Sequence, residues 1–248
     1  MSRKIDLNAD IGELEGDEGR RLDAQILTVV TSCNIACGGH AGDEISIRKT
    51  LQLSKDAHVN AGVHPSYPDR ENFGRKSIPM DESVLKQCLF DQVARFQAIA
   101  NELAIPVSHL KPHGALYNDA AGDAALAEIV AQTALSFSIP ILVGLPSSEM
   151  EKAARRCNLA FVGEGFADRA YEDDGRLRSR EKEGAVIHDK DLQANQAIAL
   201  SEGSVKAFSG HQLEVMVDTI CLHGDTPGAF EAAKAIRRKL ETAGVDIG

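Results

Sequence analysis

The chain has 248 residues, and its 27 lysine and arginine residues against 37 aspartate and glutamate residues give a net charge of −10. An acidic chain is not expected to bind nucleic acid or an acidic membrane surface, because both repel it, so a small-molecule substrate is predicted. The sequence contains neither a membrane-spanning apolar run nor a signal peptide, and its five cysteines lack metal-site or disulfide spacing, which predicts a cytoplasmic location.

Short β-type runs alternate with longer helical runs along the chain, as in βα units around a parallel sheet. Seven strands are predicted, at residues 5–10, 29–36, 59–64, 107–111, 139–144, 159–164 and 219–223. Since no linker or change of composition interrupts the pattern, we expect residues 1–248 to form a single domain.

Four helices are predicted from apolar spacing and capping residues. The first follows Asp81 as N-cap and extends to Leu103, and two others cover residues 119–136 and 189–201. The last is expected to open at residues 225–227 and to end at Gly244, since proline favours the first turn and glycine the position after a helix.

Two long polar segments, residues 65–80 and 164–184, each follow a predicted strand. They are either solvated surface loops or lids over a site, because the long loops of a parallel barrel gather at the face where ligands bind. The sequence alone leaves both interpretations open.

The predicted strands carry their polar residues on one face. In the first strand Asp6, Asn8 and Asp10 alternate with apolar residues, and the other strands show the same alternation. Because the apolar face must pack against helices, the polar face is expected to point into a barrel. Burying such groups is costly unless they are paired, so this pattern favours a catalytic site.

Polar and charged residues also collect where the predicted strands end, at the face where active sites of parallel barrels form. They are Asp10, Glu13, Asn34, His40, His64, Lys111, His113, Glu164, His223 and Asp225. A single histidine of this kind is usually structural, but five of the eight histidines lie in these segments, since His109 adds to the four just named, and this predicts a common site.

Seven ordered blocks spread along the chain resemble the LamB/YcsF family. They are DLNADIGE (6–13), NIACGGHAGD (34–43), GVHP (62–65), FGR (73–75), HLKPHGALYN (109–118), EGFADR (164–169) and CLHGDTP (221–227). The resemblance implies a distorted seven-stranded parallel β/α barrel of the glycoside hydrolase/deacetylase type. It also implies the role of the A subunit of an ATP-dependent 5-oxoprolinase, which opens 5-oxoproline to glutamate with partner subunits B and C.

Lactam hydrolysis needs a base for water, cations for developing negative charge and donors for the substrate carboxylate. We predict Asp10 or Glu13 as general base, and Lys111 and His113 as the groups that stabilise negative charge. The remaining predicted substrate-binding residues are Asn8, Asn34, His40, Asp43, His64, Arg75, Glu164, Asp168, Arg169 and His223. Among these, Arg75 and Arg169 are expected to bind carboxylate or phosphate from the two long segments.

ATP and metal binding are less directly indicated. The chain has no Walker-type phosphate loop, so ATP is expected to bind with a partner subunit, or at the glycines of residues 38–43.

No metal ligand is assigned, because His109 and His113 would lie about 13 Å apart on an extended strand unless the chain turns at Pro112. A divalent metal remains an alternative. The other functions left open are a metal-dependent deacetylase or carbohydrate hydrolase, and a non-catalytic substrate-binding subunit.

Overall fold

The computed structural model describes residues 4–223 and 228–248, apart from the side chain of His223. Strands and helices alternate through these ranges. In chain order they are β1 (Lys4–Ile11), α1 (Gly16–Ile26), β2 (Ser32–Ala36), α2 (Glu44–Asp56), β3 (Asn60–His64), α3 (Glu82–Glu102), β4 (His109–Leu110), α4 (Gly114–Gly122), α5 (Ala124–Ser136), β5 (Ile141–Gly144), α6 (Glu149–Arg156), β6 (Ala160–Phe166), α7 (Lys190–Ser201), β7 (Ser204–Lys206), β8 (Gln212–Glu214), β9 (Thr219–His223), α8 (Ala229–Thr242) and β10 (Asp246–Ile247). Within the described ranges, none of these helices combines the length and apolar character needed to cross a membrane.

The main sheet closes into a barrel. Strands β1 to β6 pair in sequence order, β6 pairs with β9, and β9 returns to β1, always in parallel. This closed ring contains the seven predicted strands and confirms the predicted barrel. Three short strands were not predicted: β10 pairs in parallel with the first residues of β1, and β7 pairs with β8 as an antiparallel hairpin.

The alternation within β1 explains how the barrel packs. Leu7 and Ala9 face outward and are fully buried beneath the surrounding helices. In the surrounding layer, helix α3 packs against α2 and α5 and carries a stripe of apolar residues three or four positions apart, of which Leu89, Val93 and Phe96 are completely buried. The inward face of β1 therefore carries Asp6, Asn8 and Asp10, as its polar parity predicted.

One predicted helix is divided in the structure. Residues 119–136 were expected to be continuous, but α4 ends and α5 begins around Asp123, whose backbone is extended. The Asp123 side chain accepts the backbone N–H groups of Ala125 and Leu126, so it caps a new helix and does not continue the old one. The predicted opening of the last helix at residues 225–227 lies outside the described residues.

Candidate active site

An ion-paired group of side chains fills the upper part of the barrel. Lys111 follows β4, and its Nζ lies 2.8 Å from Asp10 Oδ1 and 2.8 Å from Glu164 Oε1. Asn8 donates to Glu164 Oε1 across the barrel at 3.0 Å. All four side chains are almost completely buried, so each charge is compensated by a partner of opposite sign or by a hydrogen bond.

The charge of Lys111 is retained despite its burial. Burial opposes ionisation, but the carboxylates of Asp10 and Glu164 outweigh it and hold the pKa of Lys111 well above its usual value. The Sγ atom of Cys221 lies 3.1 Å from Lys111 Nζ, while burial and the Asp10 charge raise the pKa of this thiol. Lys111 therefore acts as a fixed cation and not as a base.

A second network, of hydrogen bonds, orients the Asp10 side chain. Asn34 Nδ2 donates to Asp10 Oδ1 at 2.8 Å and to Asn8 Oδ1 at 2.7 Å. Its own Oδ1 lies 2.7 Å from Nε2 of His109, a ring that burial keeps neutral by lowering its pKa to about 4. The ring has room because Gly62 lies opposite: a Cβ atom there would approach His109 Nε2 to 2.1 Å. His109 thus orients Asn34, and Asn34 orients Asp10.

Three histidines and one glutamate lie beside Asp10. His64 Nε2 is 3.3 Å from Asp10 Oδ2 and 3.0 Å from His113 Nδ1, and Glu13 Oε1 lies 3.3 Å from that same His113 nitrogen. His40 Nε2 is 3.0 Å from Glu13 Oε1, and the His40 ring stacks on His113. Burial, followed by the neighbouring rings, holds the pKa values of His40 and His113 well below their usual value.

The first long segment is folded tightly against these histidines. Phe73 adopts a left-handed φ of 56° and its carbonyl accepts a hydrogen bond from His113 Nε2 at 2.9 Å. At Gly74 a Cβ atom would come within 2.9 Å of the His40 side chain, and φ is also positive, so only glycine fits without strain. This close packing fixes Arg75 above the barrel and agrees with the lid interpretation.

A cavity of about 250 Å³ opens above the ion-paired group. Its floor includes Asp10, His64, Lys111 and His113, and both long segments contribute to its walls. The wall residues from these segments are Arg75, Ser77, Phe166, Arg169, Leu177, Ser179 and Arg180. Three arginines at its walls give the site a basic lining on an acidic protein.

Eleven of the fourteen predicted site residues line this cavity or pack around its base. Those that line it are Asp10, His64, Arg75, Lys111, His113 and Arg169, and those packed around its base are Asn8, Glu13, Asn34, His40 and Glu164. Arg169 is buried and donates to the carbonyls of Ala185 and Arg178, so it anchors the second long segment. Burial lowers the pKa of Arg169 to about 10.

The remaining three predicted residues are Asp43, Asp168 and His223. Asp43 is exposed at the N-cap of α2, where it forms a capping box with Ser46, so the structure gives it a local helical role. Asp168 is buried, and its carbonyl accepts the Ile187 N–H. The backbone of His223 lies in register with Asp10 on the neighbouring strand, but its side chain lies outside the described residues.

Sequence reasoning missed three contributors. Cys221 has the inward parity of β9, which was the available signal for its contact with Lys111. Tyr117 follows His113 by one helical turn and lines the cavity; burial and the Glu164 charge raise its pKa well above the usual value. Arg180 gave no local signal, because the fold of its segment brings it to the cavity.

The histidine group also provides candidate metal ligands. One ligand atom from each of Glu13, His40, His64 and His113 lies within 4.8 Å of the others, so these residues could hold a metal ion. The sequence had directed attention to the spacing of His109 and His113 instead. In the structure the two rings have different partners: His109 contacts Asn34, and His113 contacts His64.

Comparison with known proteins places the chain in a family. The model of the LamB/YcsF family matches residues 5–248. The A subunit of 5-oxoprolinase from Chloroflexus aggregans is 44% identical over 98% of this chain and 97% of its own length. The crystal structure of a lactam utilization protein from Thermus thermophilus superposes with a TM-score of 0.88, at 36% identity over 98% of both chains.

A more distant structure indicates the type of barrel. A family 4 carbohydrate esterase from Streptomyces lividans, solved in complex with acetate, gives a TM-score of 0.51 at 12% identity, covering 100% of this chain and 92% of the esterase. At this identity the similarity concerns the fold alone, and it agrees with the predicted deacetylase-type barrel. By the family match over nearly its whole length and its close relatives, the chain belongs to the LamB/YcsF family.

Proposed function

We propose that this chain is the A subunit of a 5-oxoprolinase and takes part in the hydrolytic opening of 5-oxoproline to glutamate. The observation that carries the proposal is the cavity in which arginines surround the Asp10–Lys111 ion pair. The name of the Chloroflexus aggregans relative supports the choice of substrate.

The cavity suits a small anion. Its volume of about 250 Å³ lies below the ~300–1,000 Å³ typical of sites for drug-sized ligands, so one compact ring can enter. Arg75 and Arg180 reach it from the two long segments, and a guanidinium pairs with a carboxylate through two parallel hydrogen bonds. We assign these two arginines to the substrate carboxylate, which would direct the lactam amide toward Asp10 and Lys111.

Asp10 is the stronger candidate for general base. It lines the cavity, whereas Glu13 contacts His40 and His113 at its base. Asn34 fixes Asp10 Oδ1, and the other oxygen, Oδ2, faces His64, so this oxygen is placed to take a proton from water. Asp10 would then return this proton to the departing lactam nitrogen.

Lys111 would stabilise the negative charge at the lactam oxygen while that oxygen is phosphorylated, and afterwards the charge of the phosphoryl group that it carries. Two of its N–H groups are directed at Asp10 and Glu164, and the third has only weaker partners, the Cys221 sulfur at 3.1 Å and Asn8 Oδ1 at 3.4 Å. An oxyanion is the better acceptor, so it would replace Cys221 as the partner of Lys111 in the transition state.

We propose that ATP binds mainly with the partner subunits B and C, and that the reaction takes place in the cytoplasm, where ATP is available. A lactam is a poor electrophile, and phosphorylation of its oxygen would make it a good one. The small cavity and the lack of a Walker-type loop in the sequence support this division of labour. We therefore expect the isolated chain to bind ATP only weakly in equilibrium dialysis.

Glutamate release from 5-oxoproline, with and without ATP and the partner subunits, tests the function. We expect activity only from the complete mixture and a loss of at least about 100-fold in kcat for Asp10→Asn. Asp56→Asn, on the exposed end of α2, serves as the matched control. Wild-type activity of folded Asp10→Asn would exclude Asp10 as base, and no activity in the complete mixture would exclude the function.

The buried histidine group favours one second candidate, a metal-dependent hydrolase that acts without ATP. Such an enzyme would release product from an acylated substrate in the absence of nucleotide and partner subunits. ATP-independent turnover that disappears after chelation would select this alternative.

A further inference from the structure

Two buried histidines, His64 and His113, hold fixed tautomers whatever reaction the cavity supports. Each ring uses one nitrogen on a backbone carbonyl: His64 Nδ1 lies 2.7 Å from the carbonyl of Lys111, and His113 Nε2 lies 2.9 Å from that of Phe73. A carbonyl oxygen only accepts hydrogen bonds, so each of these nitrogens carries a hydrogen, and in a ring with one hydrogen the opposite nitrogen has a lone pair.

The other two ring nitrogens then face each other with lone pairs. His64 Nε2 and His113 Nδ1 are 3.0 Å apart. Glu13 Oε1 lies 3.3 Å from His113 Nδ1, and Asp10 Oδ2 lies 3.3 Å from His64 Nε2. Several electron-pair donors therefore converge on one small volume, which is unfavourable unless a positive centre lies between them.

The spacing of these atoms fits a metal ion. A tetrahedral zinc ion lies about 2.0–2.1 Å from nitrogen and oxygen ligands, which sets neighbouring ligand atoms about 3.3 Å apart. The distances of 3.0 Å between the two rings and 3.3 Å between Glu13 and His113 are close to this value. The two ring planes cross at 86°, so their in-plane lone pairs can meet at one point.

The stacking of His40 excludes it from the ligand set. Its ring is parallel to His113 within 7°, at a centroid distance of 3.6 Å. An ion in the plane of the His113 ring lies well outside the plane of His40, where a ring nitrogen has no lone pair. His40 Nε2 is placed instead to donate to Glu13 Oε1, as a positioning residue that orients the carboxylate.

We propose that His64 Nε2, His113 Nδ1 and the Glu13 carboxylate bind one divalent transition metal ion of the zinc class, oriented by His40. Two imidazoles with one carboxylate favour such an ion over calcium or magnesium, which prefer oxygen ligands. The carbonyls of Lys111 and Phe73 fix the ring tautomers, as in many metal sites. Since His64 and His113 line the cavity, a remaining coordination position would face it.

Zinc titration of the chelator-treated full chain, followed by calorimetry, tests this assignment. We expect one ion per chain for wild type, and no stoichiometric binding for His64→Gln or His113→Gln. His40→Gln should still bind one ion, with an affinity about 10–100-fold lower, because it removes only a partner of the ligand. His211→Gln, at an exposed position, is the matched control and should bind as wild type.

Two outcomes would overturn the proposal: wild type that binds no zinc, or His64→Gln and His113→Gln variants that bind zinc as well as His211→Gln does. X-ray absorption of the zinc-loaded wild type provides a readout that does not depend on variant folding. We expect a shell of nitrogen and oxygen ligands with two imidazoles; a spectrum with fewer than two imidazoles would contradict the assignment. If the two rings share a proton in place of a metal ion, wild type will bind no zinc, and the proposal is overturned.

Discussion

Lys111 Nζ lies 2.8 Å from Asp10 Oδ1 inside the barrel, and both side chains are almost completely buried. The same ammonium group also pairs with Glu164, so one buried cation compensates two carboxylates. This arrangement makes Lys111 a structural requirement as well as a candidate participant in the reaction, since its removal would leave buried negative charge without a counter-ion.

Lys111→Met should lower the free energy of unfolding at pH 7 by about 3–5 kcal/mol, the cost of breaking a buried ion pair from one side. Adding Glu164→Gln to this variant should restore part of the loss, because one buried charge is removed. Urea denaturation measures both effects. Lys152→Met, on an exposed helical pair, should change stability by less than about 1 kcal/mol. Equal stability of Lys111→Met and wild type would show that the pair contributes nothing.

Gly62→Ala should destabilise the protein by about 1–3 kcal/mol, because the new methyl group would overlap the His109 ring. His109→Ala removes that overlap, so the double variant should lose less stability than the two single losses added together. A double-mutant cycle from urea denaturation gives the coupling. Gly122→Ala, whose new methyl would meet only the movable end of Arg176, is the control. If the stability losses of Gly62→Ala and His109→Ala simply add in the double variant, the overlap between the two positions is contradicted.

Asp23 should make stability fall as pH rises. Burial raises the pKa of this carboxyl from 3.8 to about 7, with a smaller contribution from Glu13, although the Gly12 N–H opposes the shift. Between these pH values the folded state holds a proton that the unfolded state has lost, so stability decreases across this window. At about 1.4 kcal/mol per pKa unit, the upper limit of the effect is about 4 kcal/mol.

Asp23→Asn should remove this pH dependence. Relative to wild type, the variant should gain stability between pH 4 and pH 7 and keep the gain above that range, as measured by urea denaturation at pH 4.5, 6 and 8. Asp17→Asn, an exposed aspartate on the same helix, should show no such trend. A difference between Asp23→Asn and wild type that is constant with pH would refute the assigned protonation.

Arg75→Met should raise the KM for 5-oxoproline by about 10–100-fold in the complete enzyme, because a charge-assisted hydrogen bond contributes about 1.5–3 kcal/mol. Arg75→Lys should give an intermediate KM, since it keeps the charge but loses the paired N–H geometry. Steady-state kinetics measures both variants. Arg155→Met, on a side chain that is 75% exposed, is the control. An unchanged KM for Arg75→Met would assign the substrate carboxylate to other residues.

The positions of the barrel strands and the polar face of each strand could be predicted because both depend on local patterns. Strand β1 shows this clearly: inward Asn8 and Asp10 and outward Leu7 and Ala9 follow from an alternation of period two. The helix break at Asp123 was missed because aspartate is tolerated within a helix, and capping depends on where the preceding helix stops.

Residues 1–248 were expected to form a single domain, and that remains a prediction. The alternation of strands and helices and the collection of charged residues at the strand ends followed from periodicity and strand order, whereas the closed seven-stranded barrel was implied by the resemblance to the LamB/YcsF family. Three-dimensional packing was needed to establish that His113 contacts His64 and not His109, that Arg180 and Arg75 line the same cavity, and that Asp43 caps a helix. Most of these contacts join positions far apart in the chain, so they depend on loop paths and side-chain packing that local patterns do not specify.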